Sequence, residues 1–352
     1  MTSRSVWCAL KYLLALGLLG WVFIANWDPG EGPGLRVTYE AYVIHHRAVR
    51  YDCLFLAILF CLSAILLTFC RWYLLVRMQN LPLSLSEAFR LGAVGFFFNT
   101  FLPGSVGGDI VKAAILARRE SRPVRAVATV FLDRAIGLWT LIAFACVTAT
   151  LFSLSGVWPG EVPLPLEWIA HTTGVGLAGS AIVWLCLGRS PVHEERFACW
   201  LSHLPRVGNA AAEVWQVLLL TRHRPRKLLA AMALSGVSHV GFVITFYLCS
   251  QTLTPSTPSD RCVPSLMEHF LIVPLGLLIR AIPISPGGMG ISELGFAELY
   301  RRFGYPAANG VLAALVYRVV QWLLGLIGYL VSLRASSHAR EDLTVQSVSE
   351  RA

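Results

Sequence analysis

The sequence predicts an all-α fold: a polytopic membrane helical bundle, built as an inverted repeat with two re-entrant broken-helix hairpins. Three observations carry that prediction. Of 352 residues, 56% are hydrophobic and 14% charged, with a mean hydropathy of +0.62, where soluble domains carry about 25% charged residues. Several apolar runs reach the roughly 20 residues needed to cross a bilayer. Two more runs stop at Pro-Gly breaks that share one spacing. In hydrocarbon each run must satisfy its own backbone polar groups as helix, and none shows the alternation of barrel strands.

Six full spans are predicted, at 7–25, 53–76, 124–152, 168–187, 228–250 and 307–333. The first reads as an uncleaved helix, because it is long, contains Lys11 and lacks a small-x-small cleavage site. The run 89–102 ends at Pro103-Gly104, and the run 267–284 ends at Pro286-Gly287-Gly288. At 14 residues the first is too short to span, which predicts re-entrant hairpins over 88–117 and 266–300. Residues 1–333 then form one transmembrane domain, and the short polar segment 334–352 is predicted to be a disordered cytoplasmic tail.

Orientation follows from basic residues in short loops. Arg118, Arg119, Arg122 and Arg125 place one loop in the cytoplasm, and seven basic residues from Arg189 to Lys227 place the connector 188–227 there too. Segment 153–167 has Glu161 and Glu167 and no basic residue, which suits the outer side. Both termini are then cytoplasmic in a bacterial-type inner membrane. Arg36, Arg47 and Arg50 fall outside against the rule, because the alternation of spans requires it. The first hairpin then opens from the cytoplasm and the second from the opposite side. The net charge of +9 thus reads as a topology signal, not as a nucleic-acid surface. Within the connector, Val207, Ala211, Val214 and Leu218 follow helical spacing, which leaves open a helix on the membrane surface or a solvated linker.

Nine cysteines without a CxxC pair, mostly inside apolar runs, read as buried thiols, with neither a zinc site nor a disulfide framework. The chain carries no GxxxxGK[ST] loop for ATP and no cofactor motif.

The candidate site lies at the two breaks. Pro103 precedes Val124 by 21 residues and Pro286 precedes Ala307 by 21. The first break offers Asn99, Pro103, Gly104, Gly107, Gly108 and Asp109; the second offers Pro286, Gly287, Gly288, Gly290, Ser292 and Glu293. Glycine allows the turns such loops need, and a helix starting at each would aim unpaired N–H groups at an anion such as phosphate. For the single acids a plainer reading stays open: Asp109 and Ser292 as N-caps, Glu293 as a favourable first-turn acid. For the paired loops, polar breaks at membrane depth point to a cavity.

Charges within spans are costly, at about 2.5 kcal/mol or more each. Asp133 and Arg134 lie about 12 to 15 Å into their span and Arg318 about 17 Å into the last. Arg134 and Arg318 follow Pro103 and Pro286 by 31 and 32 residues. Two roles stay open for them, contact with an anionic substrate or pairing with Asp109, Asp133 or Glu293. Arg280 is a further candidate of this kind. Arg71 reads as snorkelling to the headgroups, and His239 as a hydrogen-bonded structural histidine.

Taken together, Leu102-Pro103-Gly104-Ser105-Val106-Gly107-Gly108-Asp109, Asp133-Arg134 and Pro286-Gly287-Gly288-Met289-Gly290-Ile291-Ser292-Glu293 resemble the flippase-like transmembrane domain of lysylphosphatidylglycerol synthases. The resemblance runs from the first span to about Leu333. It implies movement of aminoacylated phospholipid, or in stand-alone relatives of polyprenyl-phosphate sugars or other lipids, between leaflets. It also implies that Asp109, Arg134, Glu293 and Arg318 line a headgroup cavity. The synthase's soluble aminoacyl-transferring domain has no counterpart in this sequence, so synthesis of lysylphosphatidylglycerol is not expected. A lipid flippase or transporter is the leading expectation, with a membrane lipid as its partner and no nucleic acid. Two alternatives remain: a lipid-linked glycosyltransferase, for which no DxD motif is present, and a non-transporting accessory of a separate lipid-synthesis enzyme.

Overall fold

The computed structural model describes residues 3–28, 34–102, 106–120, 122–155, 174–182, 191–203, 208–253, 262–282 and 285–349. Every regular element among them is helical: α1 (Ser3–Ala25), α2 (Leu35–Tyr39, continued by a π turn over Glu40–Ile44), α3 (Tyr51–Met78), α4 (Leu85–Phe101), α5 (Gly107–Ala117) and α6 (Pro123–Ser155). A short α7 (174–182) follows, then α8 (Pro191–Ser202), α9 (Gly208–Arg222), α10 (Pro225–Thr252), α11 (Leu266–Ala281), a 3₁₀ turn (Pro286–Gly288), α12 (Ile291–Arg302) and α13 (Ala307–Ser349).

Among the described residues, four helices are long and apolar enough to cross a membrane: Tyr51–Met78, Pro123–Leu154, Pro225–Thr252 and Ala307–Arg334. They match four of the six predicted spans, and α1 forms as a helix where the first was expected. The span predicted at 168–187 lies largely outside the described residues. Large apolar side chains stay exposed along these helices, among them Phe55, Leu59, Val319 and Leu330. In a bilayer such a surface meets lipid tails at no cost.

The packing is crossed. The 28-residue helices α3 and α10 form the most extensive contact, and they approach so closely that a β-carbon on Gly241 would stand 3.0 Å from that of Ala64. Small residues at a crossing allow this approach. Around that axis α4 packs on α13, while α11 packs on α6. Each helix that leads into a break therefore rests on the long helix of the other half. The larger core joins α3, α10, α11, α12 and α13, with Phe246 stacked on Phe296 at 4.0 Å. A second core surrounds Trp72 and Leu116.

α4 and α11 start alike. Ser84 and Ser265 cap them, each accepting from the backbone N–H of the Glu three residues on, Glu87 and Glu268, whose carboxylates accept from the Ser backbone in return. Two orphan amides are satisfied at each start by one reciprocal box.

The backbone of α13 is helical to Ser349. Cys53, Cys61 and Cys249 are buried as expected, but Cys199, on α8, is exposed. Most of connector 188–227 is helical, as α8, α9 and the start of α10.

Candidate functional site

The first break joins α4 to α5, and these two arms pack on each other. Pro103 and Gly104 lie outside the described residues. The arms touch through backbone: a β-carbon on Gly108 would stand 1.8 Å from the carbonyl oxygen of Gly95. The Gly108 N–H donates to Asn99 Oδ1 at 2.8 Å, and Asn99 Nδ2 donates to Asp109 Oδ1 at 3.4 Å. Gly107 opens α5 against Leu102.

Asp109 is buried at the third position of α5 and is not its N-cap, which is Val106. Its carboxylate turns to other helices: Arg134 Nε on α6 donates to Oδ2. Lys112 Nζ stands 3.9 Å from Asp109 and 3.9 Å from Asp133, and lies 4.2 Å over the Trp72 ring. Arg71 closes the cluster, giving Nε to Asp133 Oδ1 and Nη1 to Ser235 Oγ, both at 2.8 Å. Arg71 is therefore a buried partner of Asp133, not a snorkelling residue; a carboxylate in hydrocarbon holds it more strongly than the distant headgroups. His239 contacts the Gly137 carbonyl at 3.2 Å and Ser235 Oγ at 3.4 Å, as a structural histidine would.

The second break is described throughout except 283–284. Pro286 opens the 3₁₀ turn, and Gly287, Gly288 and Gly290 all take positive φ, at 54°, 71° and 81°, a region glycine enters without penalty. Gly290, not Ser292, is the N-cap of α12, while Ser292 is buried in its first turn. Glu293, wholly buried, accepts the Gly290 N–H at 2.7 Å. Arg318 on α13 clamps the same carboxylate with Nε at 2.6 Å and Nη2 at 3.0 Å. It also donates to the carbonyls of Gly287 at 3.2 Å and Gly288 at 3.1 Å. Arg280 packs against Gly288 and stands 5.6 Å over the Tyr317 ring.

The two clusters correspond in detail. Asp109 and Glu293 are each third in the helix after a break; Arg134 and Arg318 are each twelfth in the following long helix. Both pairs span 25 residues. The clusters also meet, since a β-carbon on Gly287 would stand 2.7 Å from the Thr100 carbonyl oxygen, next to Asn99. α1 lies across the junction: Tyr12 donates to the Phe101 carbonyl at 2.8 Å, and Leu18 touches Gly290.

Among the described residues of these clusters, Arg71, Lys112, Arg134, Arg280 and Arg318 outnumber Asp109, Asp133 and Glu293 by two charges. An anion entering there would gain from donors already oriented. No group of three or more His, Cys, Asp or Glu among the described residues is placed to hold a metal ion.

Lys112 escapes the sequence reading, and Arg71 is read there as snorkelling, not as a member of the cluster. Lys112 left a signal, an i,i+3 relation to Asp109 inside an apolar helix; Arg71 gives none before α3 and α6 are seen to pack. The two Ser-x-x-Glu boxes were also legible before each broken helix.

The family model of the lysylphosphatidylglycerol synthase TM region matches residues 9–328. A UPF0104 membrane protein of Pyrococcus horikoshii is 22% identical over 340 residues, covering 92% of this chain and 97% of the relative. A UPF0104 membrane protein of Methanothermobacter thermautotrophicus is 24% identical over 298 residues, covering 78% of this chain and 82% of the relative. Matched over nearly its whole length, this multi-pass membrane chain belongs to the family of the lysylphosphatidylglycerol synthase transmembrane region.

Proposed function

We propose that this chain carries an anionic lipid, a phospholipid or a polyprenyl-phosphate-linked lipid, from one leaflet to the other. The observation that carries the reading is the excess of two positive charges in the linked clusters, set where two glycine-rich breaks meet. Leaving charge unbalanced in a low dielectric is expensive. An anionic headgroup offsets it, and the headgroup of a flipped lipid must pass this depth.

In this reading α4–α5 and α11–α12 are re-entrant hairpins of an inverted repeat, opening from opposite sides of the cell membrane, with both termini cytoplasmic. The matched positions of Asp109 and Glu293, and of Arg134 and Arg318, support a duplicated origin. Rocking of one half against the other exposes the site alternately. The crossed packing of α4 on α13 and α11 on α6 supplies the surfaces that slide. A separate lipid-synthesis enzyme would supply or consume the cargo.

The test is reconstitution of the full chain in vesicles with labelled phosphatidylglycerol or a labelled polyprenyl-phosphate sugar, reading how fast inner-leaflet label becomes accessible outside. Faster movement than in protein-free vesicles, with the lipid chemically unchanged, is expected. A new lipid product would replace this reading with the glycosyltransferase one; neither movement nor product would overturn it.

A further inference from the structure

The two matched arginine–carboxylate pairs are closed to different degrees. Arg318, bonded to both oxygens of Glu293, has 6% of its side chain exposed. Arg134 reaches Asp109 through Nε while 50% of its side chain remains exposed. Its carboxylate is shared, since Asn99 donates to it and Lys112 stands nearby. Lys112, 7% exposed, lies 3.9 Å from each neighbouring carboxylate, longer than a hydrogen bond.

The surface around Arg134 is apolar. Phe131 and Leu138, three and four residues away on the same face of α6, are 64% and 46% exposed, and Ile110, beside Asp109 on α5, is 64% exposed. A cation standing in an exposed apolar surface suits a ligand with a charged head and hydrocarbon chains. The first cluster holds three cations, Arg71, Lys112 and Arg134, against Asp109 and Asp133. A phosphodiester, with one negative charge, leaves it neutral.

We propose that the matched pairs divide the work: Arg134 and Lys112 receive the phosphodiester of a lipid headgroup, which replaces Asp109 as the partner of Arg134, while Arg318–Glu293 is a clamp that stays shut. The proposal rests on the lipid-carrying reading above and assigns its ligand contact. The chains of the bound lipid lie on Phe131, Leu138 and Ile110. Asp109, once released by Arg134, keeps the Asn99 donor at 3.4 Å and has Lys112 at 3.9 Å, which lowers the cost of the exchange.

The test uses the full chain in detergent with chain-spin-labelled phosphatidylglycerol or phosphatidylcholine, reading the motionally restricted fraction beside a thermal melt. Wild type is expected to favour phosphatidylglycerol. Arg134→Gln should weaken that preference roughly tenfold and lower the melting temperature less than Arg318→Gln, since Asp109 keeps the Asn99 donor at 3.4 Å, and Arg134→Lys should restore part of the preference. Arg318→Gln should lower the melting temperature while the folded fraction keeps its preference; Arg318→Lys serves if that variant does not fold. An unaltered preference in Arg134→Gln, or its loss in folded Arg318→Gln, overturns the proposal. So does loss of the preference on adding inorganic phosphate at millimolar concentration, which would mark a soluble-anion site. Restriction of phosphatidylglycerol without transbilayer movement would support this contact and sink the transport reading. Movement at the wild-type rate in Arg134→Gln vesicles would sink the contact and leave transport standing.

Discussion

Gly287 and Thr100 meet at the junction of the two breaks, the carbonyl oxygen of Thr100 lying 2.7 Å from where a β-carbon on Gly287 would stand. Gly287 also holds φ at 54° and gives its own carbonyl to Arg318 at 3.2 Å. Gly287→Ala therefore meets strain and collision together. A loss of about 1 to 3 kcal/mol is expected, read as a lower melting temperature and weaker lipid movement. An unchanged melt would show that the two breaks part at no cost.

Gly108→Ala should be worse. The added methyl would stand 1.8 Å from the Gly95 carbonyl, and backbone on both sides leaves nothing to rotate away. The α4 and α5 arms must separate, which also removes the Asn99 bond to the Gly108 N–H. Loss of folded protein on expression is expected. Gly304→Ala is the control: its φ is 79° but nothing lies within 4 Å, so a loss of about 1 kcal/mol is expected there.

Arg71→Met leaves Asp133 buried, with Lys112 at 3.9 Å in place of a direct bond. Removing one partner of a buried pair costs about 3 to 5 kcal/mol. Because the penalty is that of a stranded charge, the double variant Arg71→Met, Asp133→Leu should be more stable than Arg71→Met alone in denaturation of the purified protein. Additive losses would argue against a coupled pair.

Ser84→Ala and Ser265→Ala should act alike, each costing about 1 kcal/mol as a lost cap. Their glutamates should not. Glu268 also accepts the Tyr305 hydroxyl at 2.8 Å, so Glu268→Ala should lower the melting temperature more than Glu87→Ala, whose further partner is the exposed Arg119 at 3.3 Å.

The breaks and the arginines beyond them were legible because glycine, proline and intramembrane charge are each costly in an apolar helix, so their recurrence at one spacing stands out. What Asp109 does was not legible. Its place near a helix start fits a cap, and only the approach of α6 shows it turned toward Arg134. Arg71 sits about two turns before the end of α3 at Met78, and only the packing of α3 on α6 and α10 separates a snorkelling residue from a buried partner.

The sequence by itself determined that the chain is a multi-pass helical membrane protein, where its two interrupted helices lie, and that Arg134 and Arg318 hold matching places. Those properties depend on the energy of single segments in hydrocarbon, which composition and spacing report directly. Tertiary structure alone decided which charge answers which, that Lys112 and Arg71 join the first cluster, and that Arg318 is shut while Arg134 is half open. Each of these depends on how close two distant helices come, and that distance is set by side chains meeting across the fold.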